Sequence, residues 1–313
     1  MDESKNESHS SMTDNKQKFS EKFEKFHDKN YKHLLAIPLI LLVFSIGYMF
    51  YFHSIHDDFI KKDISLTGGT TVTINDAEVD STAIKNDLSS QLESLDTRQI
   101  YDIISKQQKA VIIETSTDST TAKKVLEEYL GYELNDQNSS IEFTGSTLSG
   151  GFYNQLIIAV LIAFILMSLV VFVIFRSFVP SAAVIFSCFA DIIMALVTVN
   201  LLGMEVSSAG IVAFLMLIGY SVDTDILLTN RVLKGGEESL NKKIFGSFKT
   251  GITMTVVALI SVLSALLVIR SFSEVLSQIF TIIFIGLIFD LLNTWATNVS
   301  IIKWYVISKE NKK

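Results

Sequence analysis

Six runs of apolar residues dominate the pattern of hydrophobic and polar positions, at roughly 34–53, 154–175, 179–201, 206–228, 250–270 and 277–302. A helix needs about 20 apolar residues to cross the hydrocarbon core of a bilayer. The pattern therefore predicts an α-helical multi-pass membrane protein with six transmembrane helices. The first two runs are separated by a long stretch whose apolar positions are spaced for a soluble domain. The expected organisation is a disordered arm over 1–32, a first transmembrane helix over 33–53, an inserted domain over 54–150, a five-helix bundle over 151–303 and a tail over 304–313.

Within the insert, Ile64 to Ile74 alternates around Leu66, Val72 and Ile74 and reads as a strand interrupted by Gly68-Gly69. Ile84, Leu88, Leu92 and Leu95 recur at helical spacing, which predicts a helix over 79–95. Strand-like runs over 97–105 and 109–114, joined by Lys106-Gln107-Gln108, predict a hairpin. A helix over 120–130 is expected to stop at Gly131, and 140–144 reads as a last strand. The order β-α-β-β-α-β is that of a small α+β, ferredoxin-like module.

Charge placement sets the expected orientation. Seven lysines precede the first span, and the loop after the fourth carries Arg231, Lys234, Lys242, Lys243 and Lys249. The 202–205 turn has neither Lys nor Arg, and the 270–276 turn has only Arg270. By the positive-inside rule both termini are cytoplasmic and residues 54–150 are extracytoplasmic. The net charge of −7 adds little, because orientation follows Lys and Arg rather than net charge. One cysteine, Cys188, excludes a disulfide within the chain. His53 and His56 flank the end of the first span and read as solvated rather than metal-binding. Gly68-Gly69 lacks the ending of a phosphate loop. No nucleophile–base pair, metal cluster or cofactor motif is visible, and an enzyme is not expected. Asn138-Ser-Ser140 fits a glycosylation acceptor, a pattern that often matches by chance.

The candidate chemistry lies inside the spans. Asp191 falls near the middle of the third, Asp223 and Asp225 in the second half of the fourth, and Asp290 in the sixth. A carboxylate at the bilayer centre costs roughly 2.5–3.5 kcal/mol on insertion scales, so such residues mark ion paths or polar helix contacts. Asp223 and Asp225 point about 200° apart on a helix. Asp290, Asn293, Thr294, Thr297 and Asn298 share one stripe, with the amides and threonines equally readable as polar helix contacts. Lys249 stands at the entry to the fifth span, within expected reach of the fourth-span carboxylates. Gly210 and Gly219 permit close helix approach.

Three motifs carry a resemblance: Ile218-Gly-Tyr-Ser-Val-Asp-Thr-Asp225 followed by Arg231, Leu66-Thr-Gly-Gly-Thr70, and Phe289-Asp-Leu-Leu-Asn-Thr-Trp295. Over nearly everything after residue 33 the chain resembles the SecF family of the SecD–SecF protein-export complex, in its archaeal form. The resemblance implies a SecD-like membrane partner, the Sec translocation channel and a translocating polypeptide as contacts, with no nucleic acid and no cofactor. It also implies work late in export across the cytoplasmic membrane, linked in bacterial relatives to the proton gradient. Gly68, Gly69 and Thr70, and Gly219, Tyr220, Ser221 and Arg231, match the family's motifs. In bacterial relatives the tetrad after Gly-Tyr-Ser reads hydrophobic-Asn-Asp-Thr, which places the aspartate on Thr224, with Asp223 and Asp225 on either side. Both aspartates therefore stay candidates. Lys249 stands where the family often has Arg, a point charge in place of a forked donor. The proton or ion path candidates are Asp191, Asp223, Asp225, Asp290 and Lys249. A proton-coupled export subunit is the leading reading. A docking subunit without ion coupling and a small-molecule efflux half-transporter of similar fold are the alternatives.

Overall fold

The structure, a computed structural model, describes residues 33–76, 78–102, 105, 107–234, 238–270 and 273–311. The arm over 1–32 and the last two lysines of the tail lie outside the described residues.

Helix α1 runs from His33 to His56. The insert follows as α2 (Ile64–Thr67), β1 (Gly69–Ile74), α3 (Ser81–Leu88), β2 (Asp96–Tyr101), β3 (Gln108–Thr115), α4 (Ser119–Leu130) and β4 (Ser139–Thr144). The bundle then comprises α5 (Ser146–Phe175), α6 (Phe178–Leu201), α7 (Ser208–Lys234) and α8 (Leu240–Ile269). The last span is α9 (Glu274–Leu292), a π-helical turn (Asn293–Asn298) and α10 (Val299–Glu310). Among the described residues six helices are long and apolar enough to cross a membrane. The chain is a multi-pass membrane protein carrying a small ferredoxin-like domain.

The four strands form an antiparallel sheet in the order β2-β3-β1-β4. One face carries Val72, Ile74, Val111 and Ile113, and α3 and α4 cover it with Ile84, Leu88, Ala122 and Leu126. Asp80 and Asp118 cap the two helices by accepting from backbone N–H groups two and three residues on. Gly131 ends α4 in the left-handed conformation, φ 76°, as its sequence position predicts.

Three expectations are corrected. The stretch before Gly68 is not strand. Asp63 accepts from the Ser65 N–H at 2.7 Å and starts the one-turn helix α2, so the chain enters the sheet only at Gly69. Helix α3 stops at Leu88 rather than running to residue 95. Ser89-Ser90 follow it, and turns closed on the Leu88 carbonyl carry Leu92 into the core. Strand β2 ends at Tyr101, where the ladder with β3 is irregular, and Ile103, Ile104 and Lys106 of the expected hairpin lie outside the described residues.

Gly68 and Gly69 take φ of 84° and 151°. A Cβ on Gly68 would lie 2.6 Å from the Ser146 Cα, and one on Gly69 would strike the Thr115 carbonyl. Thr70 is buried and donates to the Thr117 carbonyl at 2.6 Å. The Gly-Gly-Thr motif is thus the passage where the chain squeezes between the start of α5 and the end of β3.

In the bundle α6 and α7 are the inner helices, while α5 and α8 are largely exposed. The hydroxyls of Thr250, Thr253, Ser261 and Ser264 on α8 donate to the carbonyl four residues earlier, so these polar residues are satisfied within their own helix.

The segment from Asp57 to Ser65 stitches the insert to the bundle. The Asn200 amide donates to the Phe59 carbonyl at 2.8 Å. The Val206 N–H donates to the Lys61 carbonyl at 2.6 Å, and the Asp63 N–H to the Val206 carbonyl at 3.2 Å. Lys61 pairs with Glu205 at 3.0 Å, and the Ser208 N–H donates to Ser65 at 3.0 Å. Asp58 takes Lys62 at 2.6 Å and the Tyr153 hydroxyl at 3.0 Å. Burial alone would raise the Asp58 carboxyl, but the hydrogen bonds from Lys62, the Phe59 N–H and Tyr153 outweigh it and hold the group below its usual range. A depressed folded value means that this clasp contributes fully above about pH 4, the ordinary aspartate range, and is lost as pH falls through the folded value. Hydrogen exchange of residues 57–65 in the full chain is expected to quicken as pH drops below about 4, once the intrinsic pH dependence of exchange is divided out. Asp58→Asn is expected to exchange fast at neutral pH and to lose that extra acid step.

Candidate functional site

Three carboxylates meet in the middle of the bundle. Asp191 comes from α6, Asp225 from α7 and Asp290 from α9, and all three have no exposed surface. Asp191 is saturated with donors: Ser221 gives its hydroxyl to Oδ2 at 2.6 Å, and the Asn293 amide gives to Oδ1 at 2.6 Å. Asp225 Oδ1 takes the Asn298 amide at 2.7 Å and the Thr294 hydroxyl at 2.9 Å. The same Thr294 oxygen lies 3.3 Å from Asp290 Oδ1. Thr297 supports the set by donating to Asn293 Oδ1 at 3.2 Å. The second oxygens of Asp225 and Asp290, the Asn298 carbonyl oxygen and the Ser187 hydroxyl are buried without a hydrogen bond of good geometry, although the Ser187 hydroxyl lies near Asp225 and that of Ser221 near Asp290. No ion pair reaches these acids among the described residues.

The last span supplies most of these donors, and its π-helical turn is the reason they converge. A π turn widens the helix by one residue and is found mostly at functional sites. Here it spans Asn293 to Asn298, so Asn293 faces Asp191 while Thr294 and Asn298 face Asp225. A crevice of about 10 Å³ between α1 and α6 ends on Asn293 and Thr297, close to the least space that holds one water.

The structure separates the two neighbouring aspartates of α7. Asp225 is interior, whereas Asp223 is exposed on the opposite side of the helix. Asp223 shares that outer face with Val212, Met216, Gly219 and Tyr220. Thr224, the position that matches the bacterial aspartate, is buried against α8. Lys249 is not brought to the carboxylates. Gly251 faces Thr224 and Trp295, and Lys249, two residues before it, points away and is exposed. Arg231 lays its guanidinium on Gly246, where an added Cβ would meet it at 2.6 Å, and so clamps α7 to α8.

Some contributors carried no clear sequence signal. Gln278 on α9 accepts from the Ser207 N–H at 3.1 Å, pairs with the Ser207 hydroxyl and donates to the Glu205 carbonyl. It joins the sixth span to the α6–α7 turn that holds the insert. Asn200 at the end of α6 ties that helix to the Phe59 carbonyl. A lone polar residue near the end of an apolar run is the only hint of either.

Comparison with known proteins agrees with this architecture. A family model described as protein export membrane protein SecD/SecF, C-terminal, matches residues 123–308. The chain belongs to the SecD/SecF family of protein-export membrane proteins. Curated SecF proteins are similar over most of its length. The protein of Methanocaldococcus jannaschii is 39% identical over 292 residues, covering 91% of this chain and 99% of the relative. That of Methanothermobacter thermautotrophicus is 36% identical, covering 89% and 93%. Among solved structures, the crystal structure of SecDF from Thermus thermophilus, described as a translocon-associated membrane protein, aligns with a TM-score of 0.70 at 19% identity. The alignment covers 90% of this chain and 38% of the SecDF chain, and at that identity it speaks to the fold. The chain is a SecF-type export membrane protein.

Trp295, from the SecF-like motif of the sixth span, rests its ring directly on Gly251, with Cη2 3.2 Å from where a Cβ would stand. Gly251→Ala is expected to overpack the seam between α8 and the π turn and to cost about 1–3 kcal/mol. Thermal or denaturant unfolding of the purified chain in detergent checks this.

Proposed function

We propose that this SecF-type chain works with a SecD-like membrane subunit beside the Sec translocation channel, and that it couples ion movement to late steps of protein export. In this reading both termini are cytoplasmic and residues 54–150 face outward. The observation that carries the coupling is the buried trio of Asp191, Asp225 and Asp290. Three carboxylates with no ion-pair partner among the described residues, bonded across three spans, are costly in a bilayer unless they bind and release charge. One proton crossing the membrane yields about 2.3 kcal/mol per 100 mV.

A route from the trio to the insert exists in the fold. Asp191 sits on α6 and Asp225 on α7, and the turn joining these helices is the part stitched to residues 57–65. Gln278 ties α9 to the same turn. A shift among the three spans would therefore be delivered to the base of the outward domain.

In inverted membrane vesicles driven by a proton gradient, Asp225→Asn is expected to lower export by about tenfold or more, in keeping with loss of a proton-transfer group, and Asp191→Asn to lower it by removing the charge around which Ser221 and Asn293 are arranged. The SecD-like partner should still co-purify. Export at the native rate by both variants would refute ion coupling through this trio. Loss of co-purification would favour the docking-subunit reading instead.

The outer face of α7 supports the partner assignment. An exposed Asp223 at membrane depth, beside Gly219 and Tyr220, is a poor surface for lipid and a good one for a polar helix contact. A Cβ on Gly219 would meet nothing within 4 Å, so its lack of a side chain is not needed for this chain's own packing. Gly219→Leu is expected to leave the thermal midpoint of the isolated chain unchanged and to abolish co-purification of the SecD-like subunit.

A further inference from the structure

The three acids are not equivalent, and their hydrogen bonds divide the work between them. Asp191 receives one donor on each oxygen. Asp225 and Asp290 each keep one oxygen buried and without a hydrogen bond of good geometry, and they face one another across a single hydroxyl, that of Thr294. A threonine hydroxyl has one hydrogen to give and can also accept. The two contacts it makes, 2.9 Å to Asp225 Oδ1 and 3.3 Å to Asp290 Oδ1, cannot both be donations at one time. Asp225 Oδ1 also takes the Asn298 amide at 2.7 Å, so in its ionised form it accepts from both Asn298 and Thr294. Thr294 then donates to Asp225, and the contact to Asp290 is completed by a proton on the Asp290 carboxyl.

We propose that Asp290, Thr294 and Asp225 form a one-hydroxyl proton wire from α9 to α7, with Asp191 as the fixed anion that stays out of the exchange. This deepens the coupling reading above and rests on it for its meaning in export. The transfer balances without a further reactant. The Asp290 Oδ1–H bond breaks as a new bond forms to the Thr294 oxygen, and the original Thr294 O–H breaks as Asp225 Oδ1–H forms. Threonine ends unchanged, and one proton has moved between two spans. The second oxygen of Asp225, buried without a hydrogen bond of good geometry, is the end through which the wire, and with it the Asp290 proton, exchanges with the surroundings.

The other base beside the wire is Asp191, whose two oxygens are already taken by Ser221 and Asn293. Helix α6 brings Asp191 and Cys188, and α8 presents Ser247, Gly251 and Thr255 on its buried side. Helix α1 presents Leu35, Leu39 and Leu42. Asp223 and Tyr220 lie on the outer face of α7, and Lys303 is buried farther along α10, where it donates to Asn241 at 3.0 Å. The π turn matters because it presents Thr294 to Asp225 and Asn293 to Asp191 from adjacent positions.

Infrared spectroscopy of the purified full chain in lipid, with isotope-labelled aspartate, tests this without any export assay. The chain at neutral pH is expected to show the carbonyl stretch of a buried protonated carboxyl, lost in Asp290→Asn and retained in Asp191→Asn. Hydrogen–deuterium exchange of that band should slow by about a hundredfold in Thr294→Val, the low end of what a positioned proton-transfer group supplies, and return to the native rate in Thr294→Ser. Thermal midpoints control for folding, and Thr294→Ser keeps the question open to a clear answer where Thr294→Val is unstable. Loss of the band in Asp191→Asn, or equal exchange in the valine and serine variants, overturns the wire. Because these readings need no gradient and no partner, a failed wire leaves the export results of Asp191→Asn and Asp225→Asn standing, and a failed export result leaves the wire standing.

Discussion

A carboxylate inside a bilayer must be given donors, a proton or an opposite charge, and this constraint organises the membrane half of the chain. No opposite charge reaches Asp191, Asp225 or Asp290 among the described residues, so the sixth span supplies donors instead. An ordinary α-helix repeats its faces every three or four residues. The π turn over Asn293–Asn298 lets consecutive residues serve two different acids on two different spans. Trp295 must then sit on α8, and the bare backbone of Gly251 is what admits it. A chain of local requirements thus runs from the acids to the amide, to the widened helix, to the glycine on the neighbouring span.

The same helices that hold the acids end in the turn that holds the insert. This turn is short, has no base of its own and is bonded to residues 59–65 through backbone groups, Asn200 and an ion pair. Backbone hydrogen bonds of this kind transmit displacement better than side-chain contacts, because they have few rotamers to absorb it. The Gly-Gly-Thr passage adds a second anchor, pressing β1 against the first residues of α5. The insert is therefore anchored on the bundle through the α6–α7 turn and through the start of α5.

Much of this was legible from residue types. Asp191 declares itself by lying near the centre of an apolar run, where no interface can hydrate it. The stripe from Asp290 to Asn298 declares itself by its spacing, and the insert by the switch from period two to period 3.6. The choice between Asp223 and Asp225 was not legible, because two residues apart on a helix means opposite faces, and only packing decides which face is inside. Alignment to the bacterial tetrad could not settle it either, since the matching position is the buried Thr224. Lys249 misled through its place at the entry to the fifth span, for it lies two residues from the inward Gly251 and so points outward. The π turn and Gln278 left no pattern, since both depend on tertiary contacts that local propensity does not encode.

Asp223 bears on whether the chain is a finished unit. An isolated aspartate facing hydrocarbon costs roughly 2.5–3.5 kcal/mol, a large share of the margin by which most folds persist. Its neighbours on that face are Gly219, whose Cβ position opens onto empty space, and the half-exposed Tyr220, a flat surface with a polar rim. Small residues flanked by polar ones are what close helix pairs in membranes are made of. The SecDF chain that shares this fold is far longer, with this chain spanning 38% of it. A surface of this make-up marks α7 as the span best suited to a further helix contact. Helix α7 thus faces two ways, with Asp225 inward to the acids and Asp223 outward on the exposed face.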